Sequence, residues 1–417
     1  MRVLISGAGI AGPTLAWFLA RTGARVTVVE KSRSLLPHGQ NVDLQGAALT
    51  VINKMGLMDQ IRRFNTTEKG TQFIDPKGRP FAPLPVKEGY QNSLTSEFEI
   101  LRGDLAMVLY EATKDHSNIN YFFGTTIKTV ITNDDDTVKV ELNNSEVHEF
   151  DLLVAADGQW SKLRQQCFPP EYVNVVNLGT YVVYYTIPRQ SIDNDWWNVY
   201  LGLGSKLITL RPDPHGSIRA MFSRMPRSDA QKKAWLEVSR GGRRAQEELV
   251  KREFADAGWQ APRILDAMEQ APDFYFQVLQ QVKMTKWSNS RVVCLGDTAY
   301  APSPLTGNGT LLAINGAYVL AGELSKLNEG EHPARALEAY ESTFRPFVEE
   351  SQKIPFIFPG IAHPETAWAR WLYQTIAWGL SKAAVIPWLA SRFSDVESHE
   401  DKLPWPEYKK LVEGGSK

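Results

Sequence analysis

The alternation of apolar and polar positions changes period several times along the chain, and the changes mark its elements. Residues 3–6 form a short aliphatic run, followed by the glycine-rich loop 7–12 and an apolar helical stretch that reaches Arg21. Gly23 stops that helix, and residues 25–30 (RVTVVE) read as a second buried strand, which completes a βαβ unit. Residues 47–64 carry Leu49, Ile52, Met55 and Ile61 at helical spacing, and residues 102–114 repeat the pattern with Leu105, Val108, Leu109 and Ala112. Between 72 and 100 the pattern breaks into short extended pieces. Period-two runs then predict strands at 121–123, 126–131, 138–142 and 150–155, with turns at the NDDD and NNS clusters. A long β region spans 178–225, helices are predicted at 243–257 and 263–270, and strands at 274–281 and 291–295. The last of these enters a Gly/Pro-rich loop and a helix at 311–324.

Composition narrows the class. The chain of 417 residues, with 43% apolar and 22% charged residues, is ordinary for a globular protein and excludes disorder, collagen and coiled coil. At about 150 residues per domain the length suggests two or three domains or one bipartite body. Basic and acidic residues number 46 and 47, so no global electrostatic footprint for nucleic acid or an anionic membrane exists. Cys167 and Cys294 are too few for a disulfide framework or a thiolate zinc site. The seven histidines lack metal-ligand spacing, and no GxSxG elbow occurs, so neither a metal nor a nucleophilic serine is expected. The start reads as a nucleotide-binding strand and not as a removable leader. A reduced, cytoplasmic enzyme is expected, monomeric or homodimeric.

Three constellations carry chemistry. In the first, Gly7 allows the tight turn, Gly9 lets backbone approach a pyrophosphate, and Gly12 lets the helix pack on the sheet. The helix start at Ile10 and Ala11 adds free N–H groups and the positive dipole end. Glu30 closes the second strand, where a carboxylate binds ribose hydroxyls and repels a 2′-phosphate, which suits FAD or NAD. In the second, the strand 291–295 ends in Gly296-Asp297 and leads through Pro304, Gly307, Asn308, Gly309 and Thr310 into a helix. An acid beside a helix N-terminus fits a polyol next to a group that gains negative charge, as reduced flavin does. The third is an apolar strand ending in Asp157-Gly158.

GAGIAG with Glu30, AADG at 155–158, and GD at 296–297 with PxxGNG together resemble the three fingerprints of single-component (class A) FAD-dependent monooxygenases. This is the para-hydroxybenzoate hydroxylase fold. The resemblance covers residues 1 to about 350 and looks most like the tetracycline-inactivating and secondary-metabolite-tailoring branch. It implies an α/β fold with a Rossmann-like FAD lobe interleaved with a β-sheet substrate lobe, plus C-terminal helices. The expected divisions are 1–177 and 281–350 for the FAD lobe, 178–280 for the substrate lobe and 351–417 for a helical cover. It implies NADPH or NADH as transient reductant and O2 as co-substrate. An aromatic or polycyclic small molecule would be oxygenated through a flavin C4a-hydroperoxide. Arg102 would reach the FAD phosphate and ribityl region, Asp157 would order the glycine loop from behind, and Asp297 would bind the ribityl chain. Gly309 and Thr310 would donate to the flavin O2 edge, Pro304 would lie on the substrate side, and Gly39 and Asp43 beside the ring. No side chain is singled out as a catalytic acid or base.

The chain departs from the family pattern in four places. Tyr300 stands where histidine is common, and Asn315-Gly316 replaces an Asp-Ala pair. Lys31 follows the ribose acid where arginine is common, and Leu36 occupies the place of an arginine that serves the nicotinamide nucleotide. Aromatic residues of the β region, Tyr185 and Trp197 foremost among Tyr181, Tyr184 and Tyr200, are candidates to contact substrate, with strand alternation turning half of them inward. The Trp-rich segment 368–393 is interrupted by Arg370, Lys382 and Pro387 and falls short of the ~20 residues that span a bilayer, so a membrane contact is not expected. A plain NAD-dependent Rossmann dehydrogenase and a non-catalytic flavin sensor remain as alternatives.

Overall fold

The computed structural model describes residues 1–35, 39–66, 68–86, 98–354, 359–383 and 405–413. Its first layer is a six-stranded sheet in the order Ser288–Asn289, Val292–Cys294, Leu152–Ala155, Arg2–Ser6, Arg25–Glu30 and Ile119–Phe123. All neighbours are parallel except the two-residue edge strand. Val3, Leu4, Ile5 and the whole of Leu152–Ala155 are fully buried, as strands covered on both faces require. Helices Ala11–Arg21 and Gly309–Leu324 pack side by side on this sheet. A three-stranded antiparallel meander (Ile127–Asn133, Val138–Leu142, Val147–Phe150) joins the same core.

The second layer is a seven-stranded sheet: Tyr275–Met284, Val173–Pro188, Ser217–Arg224, Lys206–Pro212, Trp197–Gly202, Gly70–Ile74 and Pro80–Pro85. The last two strands come from residues before 178, so the lobes interleave more finely than a boundary at that position suggests. Its back face carries Tyr181, Val183, Tyr185, Ile208, Leu210 and Phe222 against three helices, Asp229–Ser239, Arg243–Phe254 and Ala261–Met268. The opposite face, reached by the alternate residues Val182, Tyr184 and Thr186, turns away from that core.

Several elements differ from the expectation. The helix expected over 47–64 is two helices, Gly46–Lys54 and Met58–Arg63, because Gly56 adopts φ +73° between them. Asp229–Ser239 was not anticipated, although Ser228 and Gln231 form a capping box at its start. Ala334–Ser351 was also unmarked. In the C-terminal part, helix Ala367–Ala383 lies along the edge strand Pro80–Pro85. A cavity of about 240 Å³ between them is lined by Asp75, Phe81, Trp371, Gln374, Thr375 and Trp378. Trp405 and Tyr408 pack on Tyr318, and the Tyr408 hydroxyl donates to Glu323 at 2.6 Å. No helix among the described residues is long and apolar enough to cross a membrane.

Candidate cofactor and substrate site

The site is built from the C-terminal ends of the parallel strands. Gly7 sits at φ +116°, and a side chain there would overlap the Ala156 carbonyl. A side chain at Gly12 would overlap the Gly7 carbonyl, so helix and loop meet backbone to backbone. Gly9 differs: a side chain there would meet nothing within 4 Å. Its side of the loop is open. The helix behind it starts at Ile10 with no side-chain cap and no acid in its first turn, so its N–H groups face that open side unpartnered by a cap. Glu30 braces the loop by accepting from the Ala8 and Ser32 amides, each at 2.9 Å, one per carboxylate oxygen. Each oxygen keeps a further acceptor position for a ribose hydroxyl. Lys31 is exposed beside it.

A second loop and helix start lies beside the first, with Gly296 standing next to Ala11. Asp297 opens the short helix Asp297–Tyr300, and its Oδ1 lies 3.7 Å from the point a side chain at Gly309 would occupy. Gly307 turns at φ +70°, Ser303 is held at φ +82° although buried, and Asn308 caps the long helix without a side-chain bond. Pro304 is exposed on the outer side of this turn, and Thr310 is buried in the first helical turn. Burial pushes the Asp297 carboxyl above its usual range, opposed by the Arg102 guanidinium. Asp297 nevertheless retains accessible surface, as a group at the bottom of a cleft does. Arg102 begins helix Arg102–Glu111, and its amide donates to Gln40 at 2.8 Å. Gly39, at φ +153°, presses against Arg102, and Asp43 pairs across from Glu99 in the two-stranded sheet Asn41–Leu44 with Phe98–Leu101.

Asp157 lies behind this edge. Burial raises its carboxyl, against hydrogen bonds from Ser161 and the Leu163 amide. Its loop is stitched to the second edge by Thr298, whose hydroxyl accepts from the Gly158 amide at 2.9 Å. Arg164, fully enclosed, donates to the Thr298 and Gln159 carbonyls at 2.7 and 2.9 Å. The sequence reading missed Arg164. Its signal was Ser161, which caps the helix by accepting from the Arg164 amide.

Across the cleft stands the front face of the seven-stranded sheet. One row across it runs Tyr275, Tyr184, Met221, Thr209 and Val199. Tyr275 is 43% exposed, yet Arg102 and Asp297 both act on its phenol, which burial raises. It therefore looks into the cleft. The Gln40 side-chain amide donates to the Gln277 side chain at 3.3 Å and ties the segment 39–43 to this face. Trp197 also lies on the front face, half-buried under the Arg211 guanidinium, 4.2 Å from the ring centre. Tyr185 does not. It is 1% exposed on the back face, and its hydroxyl donates to the Ile264 carbonyl at 2.9 Å, so strand alternation removes it from any substrate contact and offers Tyr184 in its place. Leu36 and residues 384–393 of the Trp-rich segment fall outside the described residues. No cluster of His, Cys, Asp or Glu able to hold a metal occurs among the described residues.

Residues 1–353 match the FAD binding domain family. The chain belongs to it. Relatives of this flavin-dependent monooxygenase include the monooxygenase CTB7 of Cercospora beticola, 36% identical over 393 residues that cover 90% of this chain and 92% of that protein. The flavin-dependent monooxygenase eupH of a Phoma species is 33% identical and covers 98% of both chains. Among solved structures, the tetracycline destructase Tet(51) superposes with a TM-score of 0.76 at 26% identity, covering 98% of this chain and 99% of its own. FAD is the cofactor of this enzyme, and the plain NAD dehydrogenase reading falls away with that assignment. The open face of Gly9, the uncapped helix starts and the deep but accessible Asp297 are what a dinucleotide with a polyol arm requires.

Proposed function

We propose that this enzyme uses NADH or NADPH and O2 to insert one oxygen atom into a flat aromatic or polycyclic small molecule, as a tailoring step on a secondary metabolite. The observation that carries the reading is that Tyr275, at the end of the row Tyr275–Tyr184–Met221, lies within electrostatic reach of both Arg102 and Asp297, so that this sheet face stands beside the segment that opens at Asp297. Gly7, Gly9, Ile10, Ala11 and Gly12 would hold the pyrophosphate, with Glu30 and Lys31 on the adenosine. Arg102 and Asp297 would hold the phosphate and ribityl arm, and Asp43 and Pro304 would flank the ring. The amides of Gly307, Asn308, Gly309 and Thr310 would stabilise negative charge on its O2 edge through the helix dipole. Asp157 would support the loop from behind. Reduced flavin supplies the oxygen activation. The protein's share is to place substrate, exclude water and stabilise the charge. Tyr184 and Trp197 would contact the substrate. The likeness to a tetracycline destructase supports a polycyclic substrate.

The test is NAD(P)H consumption against a panel of aromatic metabolites in the presence of isotope-labelled O2. Oxidation should be slow alone, rise many-fold with the right substrate, and place one labelled oxygen in the product. Unlabelled product, with all electrons recovered as peroxide, would instead make the protein an oxidase or an uncoupled sensor.

A further inference from the structure

We infer that the enzyme selects substrates carrying no carboxylate, because the charged row beside its substrate face is already over-supplied with acid. This deepens the monooxygenase reading and rests on it. Two residues along each strand from the apolar row, about 7 Å away, a second row crosses the same face through Trp197, Arg211, Arg219 and Thr186. Both arginines are consumed. Arg211 holds Glu68 through two parallel hydrogen bonds at 2.9 and 3.0 Å, and a second carboxylate, Glu99, through Nη2. Glu99 further accepts from Asn41 at 3.1 Å and from the Thr66 hydroxyl. Arg219 pairs with Asp213 at 3.3 Å and Asp273 at 2.7 Å.

Two guanidinium groups thus face four carboxylates, all of them shielded from bulk water. A carboxylate taken out of water is held most strongly by an unmatched cation, above all a bidentate arginine. Neither arginine of this row offers one. At a separation of about 7–10 Å and partial burial, a surplus negative charge weakens binding of an anion on the order of tenfold or more. The apolar row imposes no such penalty on a neutral ring system. Sequence composition hides this, since the chain as a whole is nearly neutral.

The experiment uses FAD-loaded protein and two isosteric probes, anthraquinone-2-carboxamide and anthraquinone-2-carboxylate, with binding read from the perturbed visible spectrum of the flavin. The amide should bind at least about tenfold more tightly than the acid. Glu68→Gln and Glu99→Gln should each narrow that gap by admitting the acid. The wild-type comparison decides the matter even if a variant fails to fold. An acid that binds as well as the amide, an amide that fails to bind, or a gap unchanged in both folded variants would overturn the inference. An amide that binds without stimulating NAD(P)H oxidation would speak against oxygenation and uphold the charge rule. An acid that binds well and is oxygenated would do the reverse.

Discussion

Asp297 is a carboxylate in a place that disfavours charge, and the cofactor is what makes that place useful. Burial makes it a weaker acid than an ordinary carboxyl, with only Arg102 in opposition. Ribityl hydroxyls donating to it favour the ionised form, so binding FAD expels a proton wherever Asp297 is still protonated. Affinity for FAD should therefore fall as pH drops from neutrality toward the ordinary carboxylate value of 3.8. Asp297→Asn should flatten that dependence and weaken binding at pH 7 by about tenfold or more, since each charge-assisted hydrogen bond contributes about 1.5–3 kcal/mol. Flavin-fluorescence titration of the apoprotein at a series of pH values reads both effects, and a variant with wild-type affinity would remove Asp297 from the ribityl site. Glu30→Gln should weaken FAD binding too, partly by loosening Ala8 and Ser32. At this scale the backbone-driven positions were legible, because Gly7 and Gly12 answer to steric demands that a glycine-rich motif signals directly. Facing was not. Nothing in the run YVVYYT says which tyrosine turns to the helices, and the pairing of Tyr184 with Tyr275 is a tertiary fact.

Among the elements, helix Gly309–Leu324 explains two of the departures together. A side chain at Gly316 would overlap the Tyr300 hydroxyl, so the glycine makes room for a tyrosine where the family often has histidine. Tyr300 spends its hydroxyl on Tyr340 at 2.8 Å, inside a cluster with Trp287 and Phe344. Gly316→Ala should destabilise the fold by about 3 kcal/mol or more, the upper range for overpacking a tight core. Tyr300→Phe removes the colliding atom but leaves Tyr340 unpaired. The double variant should then be more stable than Gly316→Ala alone, measured by urea unfolding; simple additivity would sink the proposed link. The order of elements was legible where periodicity ran long, as in residues 11–21. It was illegible where a single glycine, such as Gly56, divides one amphipathic stretch, and where helices Asp229–Ser239 and Ala334–Ser351 are mostly polar outside one narrow stripe.

For the molecule as a whole, acid stability depends on how the C-terminal part is pinned to the sheet. His363 is buried, its Nδ1–H donating to the Pro359 carbonyl and its Nε2 accepting from the Ser223 hydroxyl at 2.7 Å. Burial holds the imidazole neutral, down to about 4 from an ordinary 6.5. Between those values the unfolded chain takes up a proton that the folded one refuses. Stability should therefore fall as pH drops through that window, by about 3 kcal/mol in total from this group. His363→Gln should shallow the slope, seen as urea midpoints that change less between pH 7 and 4.5 than in the wild type; an unaltered slope would assign acid lability elsewhere. The interleaved architecture bears also on how the protein is made. Strand Val292–Cys294 lies against Leu152–Ala155 in the sheet, far away in the chain. A ribosome that has released the first 290 residues thus leaves a parallel strand edge without its neighbour and a nucleotide loop without its second wall. The Tyr408 hydroxyl, holding Glu323, becomes available later still. Cofactor capture consequently waits until the strand Val292–Cys294 and the helix start at Gly309 have been made, and a chain cut short before residue 292 keeps an open parallel edge.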